Sequence, residues 1–168
     1  MATTPAAVAH TGFAVSLKGR ALRLLAAREH SRTELERKLA AHAHTPEQLA
    51  QVLDELQAKD FISETRVVAS VVHRRQAKLG ASRIKYELQG MGIDAQAIMQ
   101  AVADLKRTEL ERAHEVWRKK FDRQTSPLAT VNVSPAYRAK QIRFLAARGF
   151  DAETIRRVVS ASTSHEDG

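Results

Sequence analysis

Residues 88–95 read Leu88-Gln89-Gly90-Met91-Gly92-Ile93-Asp94-Ala95, and their pattern returns 57 residues later. Leu88, Gly92, Ile93, Asp94, Ala95, Ile98 and Val102 align with Leu145, Gly149, Phe150, Asp151, Ala152, Ile155 and Val159, each pair identical or chemically equivalent. Shifted back by 49, Leu88, Asp94, Ile98 and Val102 meet Leu39, Thr45, Leu49 and Leu53. The capping position stays a cap and the apolar positions keep helical spacing. Self-similarity at this period is the signature of a repeat architecture. The predicted fold is all-α: three tandem three-helix units. Each buries too little surface alone, and stacked they make an elongated, curved, solenoid-like body.

Local signals agree. Ser31 and Glu34 form a serine-x-x-glutamate capping box. Thr45-Pro46 places a cap before a proline at the first helical position, and Leu49, Val52, Leu53 and Leu56 follow as a buried stripe. Ser63 caps a fourth helix that ends near Leu79-Gly80, Ser82 a fifth that Gly90 and Gly92 stop, Asp94 a sixth. A seventh spans about Thr108–Arg123, Gln124 to Ser134 is a break, Ser134-Pro135 opens an eighth and Asp151 a ninth. The units are predicted at 17–60, 61–107 and 108–160, after a flexible arm at 1–16 and before a frayed tail at 161–168.

The net charge is +8 with a pI near 10.2, which points to a polyanionic partner: nucleic acid, an anionic membrane surface or an acidic protein face. Aromatic residues make up only 5%, little material for stacking bases. No apolar run approaches the roughly 18–20 residues that span a bilayer, which argues against a membrane protein. The first dozen residues do not resemble a secretory signal, and cysteine is absent, as is ordinary in a cytoplasmic protein.

No catalytic constellation stands out. His42 and His44 are two apart, on different faces of a helix, which suits a surface pair better than a metal site. HExxH, P-loop and GxGxxG patterns are missing. The expectation is a binding protein with no catalytic residues, no metal and no cofactor. Charge is segregated along the chain. From Thr65 to Tyr86 there is no acidic residue, yet Arg66, Arg74, Arg75, Lys78, Arg83 and Lys85 are present; from Arg123 to Phe150 come Arg138, Lys140, Arg143 and Arg148, again without an acid. Lys18, Arg20, Arg23 and Arg28 stand unopposed at the start, whereas residues 45–64 are acidic. This predicts a basic stripe suited to phosphates or an acidic groove, against the plainer reading that these residues solvate helix faces. Trp117 and Phe121, beside Arg118, Lys119 and Lys120, read as core before they read as a base-stacking pair. The acidic third helix (Glu47, Asp54, Glu55) is unsuited to reading DNA.

The run from Ala26 to Leu35 (Ala26-Ala27-Arg28-Glu29-His30-Ser31-Arg32-Thr33-Glu34-Leu35), followed by Lys38-Leu39, resembles the opening signature of the RecX family. Phe61-Ile62, Ser63-Glu64, Arg66, Arg74, Gly80, Arg83-Ile84, Glu87-Leu88 and Gly92-Ile93 continue the likeness, which covers about Leu17 to Ser160. Val67 and Val68 depart from it, standing where the family often has an aromatic residue followed by alanine. The resemblance implies a cytoplasmic negative regulator of the RecA recombinase. Such a protein binds the RecA filament on single-stranded DNA, lies along its groove, and inhibits ATPase, strand exchange and coprotease activity. It directs attention to Arg66, Arg74, Arg75, Lys78, Arg83, Arg138, Lys140 and Arg143 as filament- or phosphate-binding residues. The alternative is a nonspecific nucleic-acid-binding protein acting through a basic stripe, and direct DNA contact fits either reading. Lack of a large exposed apolar stripe points to a monomer.

Overall fold

A computed structural model describes residues 15–121 and 134–161. The predicted arm up to residue 14, the break from 124 to 133 and the tail from 162 lie outside the described residues. Among these, nine α-helices and no strands occur: α1 (Leu17–Ala27), α2 (Arg32–Leu39), α3 (Pro46–Ala58), α4 (Glu64–Arg75), α5 (Ala81–Gly90), α6 (Ala95–Arg107), α7 (Glu109–Phe121), α8 (Pro135–Ala147) and α9 (Ala152–Ala161). A 3-10 turn, Ala40–His42, extends α2.

Three apolar clusters follow one another along the chain. Leu35, Leu39, Leu53 and Leu56 anchor the first, which also takes in Ile62. Val67, Ile84, Leu88 and Ile98 anchor the second, and Ala113, Leu145, Ile155 and Val158 the third. Leu39, Leu88 and Leu145, the residues that set the repeat, are all enclosed. Each unit packs its three helices against one another, and α6 against α7 joins the second unit to the third.

The caps that the chain spells out are formed. Ser31 accepts from the Glu34 N–H while Glu34 accepts from the Ser31 N–H, and Thr45, Ser63, Asp94, Ser134 and Asp151 each accept an N–H of the following turn. Two boundaries differ from expectation. Helix α4 ends at Arg75, short of Leu79-Gly80, because the next turn carries the chain into the third unit's surface. Ser82 is not a cap: α5 begins at Ala81 behind Gly80, which has no side chain to cap with. The cap comes from elsewhere, since Glu109 at the start of α7 accepts the Ala81 N–H at 2.8 Å.

Helices α5 and α8 end in the same turn. Gly92 (φ +70°) and Gly149 (φ +80°) take the left-handed conformation. The N–H of Ile93 reaches the Leu88 carbonyl, and that of Phe150 the Leu145 carbonyl. This is a glycine-closed helix end with an apolar residue tucked after it. Gly90 is not the stop; it is the last residue of α5.

The units are joined through these turns. The Gly80 N–H donates to the Arg148 carbonyl at 2.8 Å and the Ser82 N–H to the Gly149 carbonyl at 3.3 Å. A Cβ on Gly80 would lie 2.2 Å from the Gly149 oxygen, so only glycine fits. One unit earlier, the Ser31 hydroxyl donates to the Met91 carbonyl, Arg37 donates to the Gly90 carbonyl at 3.2 Å, and Thr33 sits against Gly92. Ser31 and Gly80 are 49 apart, Met91 and Arg148 are 57 apart, so the joint obeys the repeat's own register. In both joints the C-terminal end of one unit's second helix meets the N-terminal start of the preceding unit's second helix. Between the second and third units spare carbonyls meet spare N–H groups, between the first and second they meet side-chain donors, and in both joints opposite ends of two helix dipoles adjoin. Helices α8, α5 and α2 thus form an end-to-end spine.

Candidate functional site

The first unit neutralises part of its own charge. Lys18 on α1 pairs with Glu55 on α3 at 2.6 Å, and Lys59 shares that carboxylate at 2.7 Å. The two ammonium groups, Lys18 foremost, pull the Glu55 pKa down to about 2. Arg32 pairs with Asp54 and Glu36, and Arg28 with Glu34. Lys18 and Arg28 therefore do not stand unopposed. The acidic helix that looks wrong for DNA is the counter-charge for the helices packed on it.

The predicted site residues separate into two kinds. Arg66 is half-buried and committed: its Nε donates to Glu29 at 3.0 Å and its Nη1 to Asp60 at 2.9 Å, tying the second unit to the first. Arg75 is exposed but pairs with Glu87 at 3.0 Å. Arg74, Lys78, Arg83, Arg138, Lys140 and Arg143 are exposed and form no ion pair among the described residues. The unneutralised members of this set lie on the second and third units, and Arg23, Arg37 and Lys38 of the first unit are likewise exposed without an ion pair among the described residues.

These residues do not form a single patch. Arg83 on α5 and Lys140 on α8 occupy equivalent outward positions of the spine, 57 residues apart, as do Tyr86 and Arg143. Tyr86, 71% exposed, stands on that face without an apolar role. Arg138 lies on another flank of α8, beside Ile142 and Arg156 in a groove against α9. Lys78 lies on neither: it lines a cleft between the second and third units with Ala77, Val116, Lys119, Lys120, Phe144 and Arg148.

The cleft rests on an aromatic array. Trp117 and Phe121 stack down α7 at 6.1 Å, Phe121 meets Phe144 edge-on at 5.1 Å, and the Arg148 guanidinium lies 3.6 Å over the Phe144 ring. Phe121 is buried, as its reading as core requires, and Trp117 is half-buried. Gln141 occupies the core position that Ile84 and Leu35 fill in the other units. Its Oε1 and the Trp117 Nε1–H are both buried without a hydrogen bond.

Among the described residues, no group of three His, Asp or Glu side chains is placed to hold a metal ion, and no helix is long and apolar enough to cross a membrane.

An all-α chain of three-helix units joined end to end defines a helical-repeat protein. Models of two domains match it: RecX, first three-helix domain, over residues 18–56, and RecX, third three-helix domain, over residues 108–159. "Regulatory protein RecX" of Leptothrix cholodnii is 48% identical over 91% of this chain and 93% of its own length, and that of Herminiimonas arsenicoxydans 46% over 91% and 97%. The crystal structure of RecX from Lactobacillus salivarius has the same fold, with a TM-score of 0.69 at 20% identity over 86% of this chain and 93% of that one. The chain belongs to the RecX family of regulatory proteins.

Proposed function

We propose that this protein is a cytoplasmic, monomeric negative regulator of the RecA recombinase. It binds the RecA filament on single-stranded DNA, lies in the helical groove, and inhibits ATPase, strand exchange and coprotease activity. The observation that carries this reading is identity at up to 48% along nearly the whole chain to proteins named regulatory RecX. The fold supports it physically. A spine of three helices repeats with a fixed register, and a filament repeats its subunits along a groove. Arg83 and Lys140 offer cations at matching positions of successive units, suited to meeting successive anionic features of such a lattice. Inhibition follows by occupancy: a body clamped across neighbouring subunits opposes the rearrangements that turnover requires.

The test is RecA's DNA-dependent ATPase with substoichiometric amounts of this protein. Inhibition well below one copy per RecA supports the reading; undiminished turnover at every ratio contradicts it.

A second reading, a nonspecific nucleic-acid-binding protein, draws on the unpaired cations alone. It predicts tight binding to naked DNA that weakens steeply with salt, with no dependence on RecA.

A further inference from the structure

We infer that the cleft between the second and third units is a binding site for the phosphodiester backbone of a single-stranded nucleic acid. This deepens the proposed function by assigning the DNA component of the filament to one place on the protein, and it rests on that reading only for the biological source of the strand.

Three elements converge on the cleft. Lys78 comes from the turn after α4, Lys119 and Lys120 from the end of α7, and Arg148 with Phe144 from α8. Among the described residues, four cationic side chains line it and no acidic one does. The contrast with their surroundings is local: Arg75, three residues before Lys78, is neutralised by Glu87, and Arg118, one before Lys119, by Glu115 at 2.6 Å. Lys78, Lys119 and Lys120 are exposed and pair with nothing among the described residues. Holding like charges together raises the energy of the free protein, and a bound anion relieves it. The opening, about 290 Å³, is several times the roughly 30 Å³ a water occupies.

The chemistry favours nucleic acid over an acidic peptide. Carboxylates are best held by the two-pronged arginine fork, whereas lysine acts as a point charge that accepts phosphate in many orientations. The cleft has three lysines, and its one arginine holds its guanidinium carbon 3.6 Å over the Phe144 ring. A guanidinium plane backed by an aromatic ring is a platform on which a splayed base stacks without regard to its identity. Lysines spread along a groove beside such a platform fit a flexible single strand. A duplex keeps its bases inside and offers nothing to the Arg148 plane.

The experiment is fluorescence anisotropy of labelled oligo(dT) with the full chain, over a range of salt. The cleft variant combines Lys78→Glu, Lys119→Glu and Lys120→Glu. A control of equal charge change combines Arg23→Glu, Lys38→Glu and Lys106→Glu, all exposed, and circular dichroism reports folding of both. A Lys→Gln version of the cleft set serves if the reversal unfolds the protein. The cleft variant is expected to lose about tenfold or more in affinity and to flatten the salt dependence by about 2 in slope, three phosphate contacts at roughly 0.7 each. The control should change affinity far less. Equal losses in the two variants, no binding of oligo(dT) by the wild type, or equally tight binding of poly-glutamate overturns the assignment. Pelleting with RecA filaments is run in parallel: filament binding that persists while oligo(dT) binding is absent sinks this inference and leaves the proposed function standing.

Discussion

A carboxylate oxygen of Glu109 accepts the backbone N–H of Ala81 at 2.8 Å, so the second unit's middle helix is capped by a side chain of the third unit. The repeat explains why. Ser31 caps α2 with its own hydroxyl, but its counterpart 49 residues on is Gly80, which must be glycine to lie against the Gly149 carbonyl. The lost cap is replaced across the joint, which makes the start of α5 depend on the unit that follows it. Replacing Glu109 with alanine is therefore expected to cost about 1–3 kcal/mol, the penalty of a buried unpaired N–H. Urea unfolding near pH 5 measures it.

Glu109 also gives the joint a pH dependence. Burial pushes its carboxyl above the usual range, and its hydrogen bond with Asp151 pushes the same way, against the Ala81 N–H. The folded protein thus holds this proton more tightly than the unfolded chain. Stability from this group is fully present below the unfolded value near 4.5 and is lost as pH rises through the raised folded value. Asp151 works in the opposite sense and lower down: the Thr154 N–H holds it below its ordinary value, so its contribution fades as pH falls through that lowered value. Glu109→Gln keeps an acceptor for Ala81 and supplies a donor for Asp151. Above the folded pKa it should be more stable than wild type by about 1 kcal/mol, and the loss of stability above pH 4.5 should shrink. Unfolding curves from pH 4 to 8 check both.

The glycines separate by position. Gly80→Ala places a methyl 2.2 Å from a backbone oxygen that cannot yield, and should cost more than about 2 kcal/mol by forcing the two units apart. Gly90 has open space around its Cβ direction and ordinary helical dihedrals. Gly90→Ala should gain about 0.5–1 kcal/mol from helix propensity. Thermal unfolding of the pair shows whether the joint or the helix governs.

Arg112 is the other clasp. Its guanidinium donates to the Gln76, Leu79 and Leu105 carbonyls at 2.9, 2.7 and 2.9 Å. Arg112→Lys, which cannot span three acceptors, should cost about 1–3 kcal/mol, of a size with Leu88→Ala or Leu145→Ala at roughly 2–5. Charge reversal at Arg74, Lys78, Lys140 and Arg143, all exposed, should leave stability nearly unchanged and weaken filament binding. Arg66→Glu should do the reverse in part, since it breaks the ties to Glu29 and Asp60.

The repeat, its caps and its buried leucines were legible because they are local or periodic: Ser31 and Glu34 are three apart, and Leu88 and Leu145 differ by one period. The charge pattern was only half legible. Lys18 and Glu55, or Arg32 and Asp54, are neighbours through packing and distant in the chain, so a window that looks basic is neutral in space. The cleft was invisible for the same reason. Lys78 and Arg148 belong to different units, and only the joint at Gly80 and Gly149 brings them together. That joint had a signal in the register, since Gly80 is the counterpart of Ser31 and Arg148 of Met91. Within α5 alone Ser82 has the side chain of a cap, and it is the third unit, through Glu109, that sets the helix start at Ala81.

The most direct measurement is cosedimentation of this protein with preformed RecA filaments on single-stranded DNA, against the same DNA alone at physiological salt. The proposed function predicts that the protein pellets with filaments at concentrations where little pellets with bare DNA, and that reversing Lys140, Arg143 and Arg83 together releases it while helicity is kept. Equal pelleting with bare DNA and with filaments would contradict it.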